Sequence, residues 1–356
     1  MLSIVLTILL FLIILSILVL VHECGHFFAA RAFGVHVEEF GLGFPPRAKG
    51  WKRGKTLYSL NWLPLGGFVK LKGEQGESAH DHDSFASKKI WQRIIILAAG
   101  VAMNLVTAVV LLTIGFSIGM PTAIDRPEDE TAGAAQEIQI VHVLPNSPAD
   151  KAGMLLGDTI ESVDGKQFAR IADLQEYIRS RKDTSVSVSL QRGNQALTKD
   201  ITPMVLDGGT PALGVGLTKT AVVAYPIHKA FGMAVESTWA LVVGIFMLLG
   251  QAFRRLAFDG FVGPVGIATY TATAAQLGIA YVINLMAQLS VSLAVINILP
   301  IPALDGGRVL FALVEKVRGK SLRPALENTI HLVGFATLIL LLVAVTIRDI
   351  SHLLPS

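Results

Sequence analysis

The sequence has one cysteine, Cys24, in 356 residues. A single thiol excludes an intramolecular disulfide framework and a zinc site built from cysteines alone. Charge is scarce as well: Asp, Glu, Lys and Arg make up 16% of the chain, against about a quarter in soluble domains. With 52% hydrophobic residues, this argues against a soluble enzyme and for an integral membrane protein. The formal net charge is only +3, and no basic run interleaves with aromatics, which excludes a nucleic-acid-binding surface. Internal repeats and low-complexity tracts are absent. The first segment lacks a basic n-region and a small-x-small cleavage site, so it is expected to stay in the membrane rather than leave as a signal peptide.

Four long uncharged runs are present. Residues 1–21 carry only Ser3, Thr7 and Ser16 as polar side chains; as a helix they reach about 31 Å, enough to cross a hydrocarbon core. Residues 94–120, 265–304 (broken by Pro300 and Pro302) and 329–347 are the others. The expected fold is an α-helical polytopic membrane protein with about four transmembrane helices. Residues 237–253 are uncharged but number only 17, flanked by Lys229, Glu236, Arg254 and Arg255. They are expected to lie at the interface or partly embedded rather than to span. Eleven Lys and Arg residues fall between Arg31 and Arg93, and five between Arg308 and Arg323. By the positive-inside rule both segments are cytoplasmic, and residues 121–227 face outward.

Residues 121–227 read as a soluble α+β domain. Residues 137–143 and 185–190 alternate apolar and polar at strand period, residues 191–194 suit a turn, and residues 174–181 suit a short helix. The expected division is an N-terminal membrane half over 1–120, this domain over 121–227, and an interfacial helix plus C-terminal membrane half over 228–356.

His22-Glu23-Cys24-Gly25-His26 is an HExxH motif. On a helix, positions i and i+4 share one face, so both imidazoles can reach one metal ion while Glu23 takes a proton from metal-bound water. Alone, the motif also fits a polar helix end at the membrane surface. It directly continues an apolar span, however, and ionisable groups at that depth are costly and normally functional. Cys24 points away around the helix and is not counted as a ligand. Zinc catalysis wants three protein ligands and an open position. The candidate source of the third is Asn297-Ile-Leu-Pro300-Ile-Pro302-Ala-Leu-Asp305-Gly306-Gly307, where two prolines break an apolar span and a carboxylate follows. A narrower alternative is that Asp305 only caps the next helix. Asp305 can meet the histidines only if its span also ends on the cytoplasmic side, which requires residues 237–253 not to cross by themselves. Gly100 and Asn104 fall on one helix face, where they permit close helix contact. The His80-Asp-His-Asp83 run reads as a solvated loop.

HExxH at the end of a first span, with NxxPxPxLDG in a later one, resembles the site-2 protease family of intramembrane zinc metalloproteases. The bacterial regulator-of-sigma-E protease branch is the nearest likeness. GLGFPPR at 41–47, PLGGFVK at 64–70 and GPVGIA at 263–268 are similar to that branch. Where the family often has Gly-Pro before its second-span Asn, this chain has Gly100-Val101. The resemblance implies His22, His26 and Asp305 as ligands of Zn2+ and Glu23 as the base. It places Asn297 near the scissile peptide, hydrogen-bonded to the substrate backbone, with interhelical contact as the alternative, and makes Asn104 a second substrate-binding residue. NSPADKAG at 146–153, GDTI at 157–160 and VDG at 163–165 resemble a bacterial, circularly permuted PDZ domain, whose peptide-binding loop would be Leu213, Gly214, Val215 and Gly216. The domain binds extended peptide or only excludes bulk.

Residues 55–62 and 67–72 flank the turn-forming Pro64 to Gly67 stretch and are expected to pair as a membrane-associated β-hairpin, as in the family. Strand addition to Gly67, Phe68 and Val69 would hold the unwound substrate. The implied activity is cleavage of single-span membrane proteins, such as a pre-trimmed anti-sigma factor or remnant signal peptides, in a stress response. The implied partners are that substrate, membrane lipid and an upstream first-cut protease; the implied location is the bacterial inner membrane. The alternatives are a membrane-anchored zincin acting on soluble peptides and a non-catalytic PDZ membrane scaffold. The intact Glu23, both histidines and Asp305 oppose the scaffold.

Overall fold

The structure is a computed structural model that describes residues 4–74, 78, 80–123, 136–144, 146–193, 195–205, 210–255, 262–320 and 324–353. Asn194, in the expected turn, and Arg323, among the expected cytoplasmic cations, lie outside the described residues. The chain divides into two compact units. One holds residues 3–112, 231–269 and 286–356; the other holds mainly residues 113–230 and 270–285.

The first unit is built on α1 (Ile4–Ala32) and α2 (Ile90–Ile118). Between them in sequence stand β1 (Val37–Arg53) and β2 (Thr56–Leu71). Phe27, Ala30, Val35, Val37, Leu71 and Ile96 form a buried core that fixes the sheet against α1 and α2. The pairing differs from the expected hairpin. Residues 57–60 lie beside both 39–42 and 49–52, while 67–71 oppose 37–42. Residues 55–62 and 67–72 are therefore not partners, because residues 39–42 separate them. Period-two alternation marks a strand but does not name its neighbour, which here comes from earlier in the chain. Residues 67–71 form an edge of this sheet among the described residues.

The same unit contains most of α5 (Ile227–Arg255), the start of α6 (Pro264–Leu277), the end of α7 (Ile279–Ile298), α8 (Asp305–Arg318) and α9 (Pro324–Leu353). Two expectations are corrected. The uncharged stretch 237–253 belongs to a helix of 29 residues, because Lys229 and Glu236 are good helix formers and the chain starts helix after Pro226. The run 265–304 is two helices, not one, interrupted at Gly278, whose φ of 119° is open to glycine alone. Among the described residues, five helices rather than about four have the length and composition to cross a membrane. Only 11% of the most apolar stretch of α1 and 6% of that of α9 is buried in the protein. Apolar surface on that scale needs lipid around it.

The second unit carries a six-stranded sheet of β3 (Met120–Ala123), β4 (Gln136–Val143), β5 (Thr159–Val163), β6 (Val186–Arg192), β7 (Gln195–Ile201) and β10 (Val215–Val223), in the order β3-β10-β4-β5-β6-β7; the short α3 (Pro148–Lys151) and the two-stranded pair β8 (Met204–Val205) and β9 (Pro211–Ala212) lie outside it. Val186, Val188 and Leu190 are fully buried and alternate with serines; each such side chain contributes about 1.5–3 kcal/mol. Helix α4 (Ile171–Ser180) covers the core with Leu174 and Ile178. The last strand, β10, lies inside the sheet between the edge strand β3 and β4, the arrangement of an inserted, permuted PDZ-like α+β domain. The buried Asp158 carboxylate takes two hydrogen bonds from the Arg192 guanidinium, at 2.6 and 2.7 Å. Leu213, Gly214, Val215 and Gly216 line a cavity of about 320 Å³ beside Leu174 and Ile178 of α4.

Candidate metal centre

Helix geometry brings His22 and His26 onto one face of α1, with ring centroids 4.8 Å apart. Both are buried. Their Nε2 atoms are 3.1 Å apart, and Asp305 Oδ2 lies 3.0 Å from that of His22 and 3.4 Å from that of His26. All three ligand atoms lie within 4.8 Å of one another. A tetrahedral zinc with bonds of about 2.0–2.1 Å separates its ligands by about 3.3 Å, so the donor set fits zinc in both chemistry and spacing. Cys24 is not among the converging groups.

The backbone around Asp305 explains its position. Helix α7 ends at Ile298 and α8 begins at Asp305 itself. Prolines at 300 and 302 deny the intervening chain two backbone donors. Ala303 takes a φ of 79°, a strained value for a residue with a Cβ, and its N–H donates to His331 Nδ1 at 2.8 Å. A Cβ on Gly306 would sit 2.2 Å from the Ile298 carbonyl oxygen, and one on Gly307 2.3 Å from that of Ile301. The glycine pair is thus what lets α8 start against the end of α7. The Asp305 carboxylate is turned to the histidines rather than spent on a cap alone.

Helix α2 forms the floor. His26 Nδ1–H donates to the Ile96 carbonyl at 2.9 Å, which leaves His26 Nε2 with its lone pair. Gly100 lies under the ring pair, where a Cβ would fall 2.4 Å from His26 Nε2 and 2.7 Å from His22 Nε2. Asn104 is fully buried and its amide lies 3.3 Å from His22 Nδ1. Gly25 packs so close to α2 that a Cβ would meet the Ala99 carbonyl at 2.3 Å.

Glu23 borders two cavities. One, of about 200 Å³, is lined by Val19, His22, Asn104, Leu293 and Asn297 with Asp305. The other, of about 190 Å³, is lined by His26, Phe68, Val69, Glu74 and Arg308 with Asp305. The Val69 N–H faces the Glu23 carboxylate, and a Cβ on Gly67 would lie 3.8 Å from Glu23 Cγ. The structure therefore brings Asn297, Asn104, Gly67 and Val69 to the site, and Phe68 to its second cavity. Leu213 to Gly216 belong to the other unit. In the 80–83 run, Asp81 and Asp83 pair with Lys72, and among the described residues the run joins no cluster of metal ligands. Sequence reasoning missed the Arg308–Glu74 ion pair, the His331 support and the Ile96 carbonyl. Nothing in residue spacing pointed to them, since each partner comes from a distant element.

A helical membrane body, an inserted PDZ-like domain and a His-His-Asp centre beside a glutamate define a multi-pass zinc metalloprotease of the site-2 type. Residues 10–341 match the model of peptidase family M50, and the chain belongs to that family. A Clostridium perfringens chain is 35% identical over 94% of this chain and 96% of its own. Zinc metalloprotease RasP of Bacillus licheniformis is 28% identical over 98% of this chain and 99% of its own. Regulator of sigma-W protease RasP of Bacillus subtilis is likewise 28% identical, over 98% and 99%. Among solved structures, the PDZ domain of an SdrC-like protein of Listeria monocytogenes matches at 27% identity over 22% of this chain and 85% of that one, with a TM-score of 0.21.

Proposed function

We propose that this protein cuts single-span membrane proteins within the bilayer, with His22, His26 and Asp305 holding zinc and Glu23 as the general base. The convergence of three ligand atoms beside Glu23, where two cavities meet, carries this reading. Bound zinc supplies Lewis acidity toward the scissile carbonyl and lowers the pKa of water to about 7. Glu23 takes the proton of the attacking water and returns it to the leaving amine. Asn297, across the cavity from Glu23, donates to the unwound substrate backbone. The edge at Gly67, Phe68 and Val69 accepts the substrate as an added strand. Exposed Phe44, Trp62 and Leu63 on the same sheet support its insertion into lipid.

The substrate is a membrane protein already shortened on its outer side by another protease; a pre-trimmed anti-sigma factor or a remnant signal peptide has this form. The name of the Bacillus subtilis relative, a regulator of sigma-W protease, supports a role in sigma-factor control. The protein sits in a bacterial cytoplasmic membrane with residues 121–227 outside, where the loop at Leu213, Gly214, Val215 and Gly216 filters or binds the trimmed end. Helix α5 lies along the outer interface. Tyr225 N–H donates to the Phe116 carbonyl, so the chain enters α5 at the end where it left α2. Gly263 packs on Asp349, at the end of α9 remote from the His331 that supports Ala303. The eight steps from Arg255 to Gly263 reach at most about 28 Å, short of the roughly 30 Å core that a crossing by α5 would oblige the chain to recross.

The test is zinc analysis of the purified protein together with cleavage of a single-span substrate in detergent or vesicles. Stoichiometric zinc and cleavage within the span are expected. Cleavage only of soluble peptides would replace this reading with that of a membrane-anchored zincin.

A further inference from the structure

His22 presents Nε2 to His26 Nε2 and Asp305 Oδ2, at 3.1 and 3.0 Å. If that atom ligates a metal, it must carry a lone pair. A neutral imidazole has one N–H, which must then stand on Nδ1 and find an acceptor. Nδ1 faces the Asn104 side-chain amide, with Nδ2 the atom placed at 3.3 Å. Two donors would then oppose each other. The complementary anomaly lies in the same side chain: Asn104 Oδ1 is buried without a hydrogen-bond partner. Oxygen and nitrogen of a side-chain amide are told apart only by their hydrogen bonds. Turning the amide by half a turn puts Oδ1 on the His22 Nδ1–H. Its NH2 group then takes the buried place that Oδ1 held.

We infer that Asn104 is a positioning residue for the metal centre: its amide oxygen accepts the His22 Nδ1–H and so holds His22 in the tautomer that offers Nε2 to zinc. His26 is held the same way by the Ile96 carbonyl at 2.9 Å, so α2 supplies the outer partner of both histidines. A backbone carbonyl needs no side chain to serve; at residue 104 the acceptor must be a side-chain oxygen. Asn104 is itself fixed from behind, since Ser290 Oγ donates to its backbone carbonyl at 2.8 Å. That bond does not depend on the residue 104 side chain, so substitution there leaves it in place.

The inference rests on the zinc reading above and is tested on the full-length protein in detergent. Zinc affinity is measured by chelator competition, cobalt coordination by visible absorption, and the melting temperature on the zinc-free protein. Asn104→Leu, which keeps volume but lacks an acceptor, is expected to bind zinc about 10–100-fold more weakly, the usual cost of losing such a partner. Asn104→Asp, which keeps the acceptor, is expected to stay within about threefold of the wild type on the same argument. Equal affinity of wild type and Asn104→Leu overturns the inference. So does equal weakening in Asn104→Leu and Asn104→Asp, or a zinc-free melting temperature that falls alike in both, since each marks a packing role. His22→Ala separates the two readings. If it leaves zinc binding unchanged, the ligand assignment fails; if it abolishes binding while Asn104→Leu does not weaken it, only the tautomer assignment fails.

Discussion

Gly100→Ala sets two known effects against each other. In an unconstrained helix the change stabilises, by about 1 kcal/mol at most, through helix propensity. Here the added Cβ would fall 2.4 Å from His26 Nε2 and 2.7 Å from both Nε2 and Cε1 of His22. Ordinary contact begins near 3.4 Å, so a ring must retreat by about 1 Å, whereas metal–ligand distances tolerate only about 0.2 Å. Loss of an outer-shell partner alone costs about 10–100-fold in affinity. Displacing a ligand should exceed that, giving more than about 100-fold, or about 2.7 kcal/mol. The propensity gain cannot offset it. The expected result is zinc affinity reduced by more than about 100-fold, cleavage lost in proportion, and a zinc-free melting temperature at or below that of the wild type, because the crowding of the buried rings is present without metal and costs about 1–3 kcal/mol. Gly244→Ala is the control, because its Cβ would meet nothing within 4 Å. A Gly100→Ala protein that binds zinc within threefold of the wild type and cuts normally would refute the placement of α2 beneath the histidines.

Glu23→Gln should abolish proteolysis while zinc stays bound, and Asp305→Ala should lower both; full turnover in the first would remove Glu23 from the chemistry. Proline at 69 should cut turnover at constant zinc content, because the Val69 N–H faces the site; proline at 68 or 70 should instead lower the melting temperature, because those positions alternate toward residues 39–41. Equal effects at 68, 69 and 70 would dismiss the edge-strand role. Cysteine labelling should place residues 50 and 320 in the cytoplasm and residue 180 outside, and labelling of 180 and 50 on the same side would undo the topology. Arg192→Ala strands the buried Asp158 carboxylate, which should destabilise the PDZ-like domain by about 3–5 kcal/mol in thermal unfolding; a shift near zero would mean that the pair contributes little.

The parts legible in the sequence were those set by short-range geometry. Two histidines four apart on an apolar helix share a face whatever surrounds them. Prolines at 300 and 302 announce a broken span, and the alternation of Val186, Val188 and Leu190 announces a half-buried strand. What stayed hidden depended on partners distant in sequence. The 39–42 segment inserts beside 57–60 because it packs on α1 through Val35 and Val37, a fact that alternation does not encode. Gly100 showed as a small residue on a face with Asn104, yet its reason, the rings against it, needs the third dimension. The length of α5 was misjudged because charged residues were taken as its limits, although Lys and Glu sit comfortably inside helices.

Hydrolysis inside a bilayer requires water and peptide to reach one point by different routes, since a wet substrate path would leave a membrane helix no reason to enter. The two cavities divide in that sense. The one shared by His22, Asn104, Leu293 and Asn297 has no charged side chain apart from those of the centre itself. The one shared by His26, Glu74 and Arg308 carries an ion pair, and a charged wall holds water that an apolar wall sheds. Glu23 and Asp305 alone among the charged residues line both. On the proposed reading, the base receives water from the side of the ion pair and acts on a peptide from the side of Asn297. The Val69 N–H stands at that junction, so on the same reading the strand that would hold the peptide also contacts the residue that would move the proton. Positioning and proton transfer are then set by one short edge of backbone, which neither the HExxH motif nor the Asp305 motif contains.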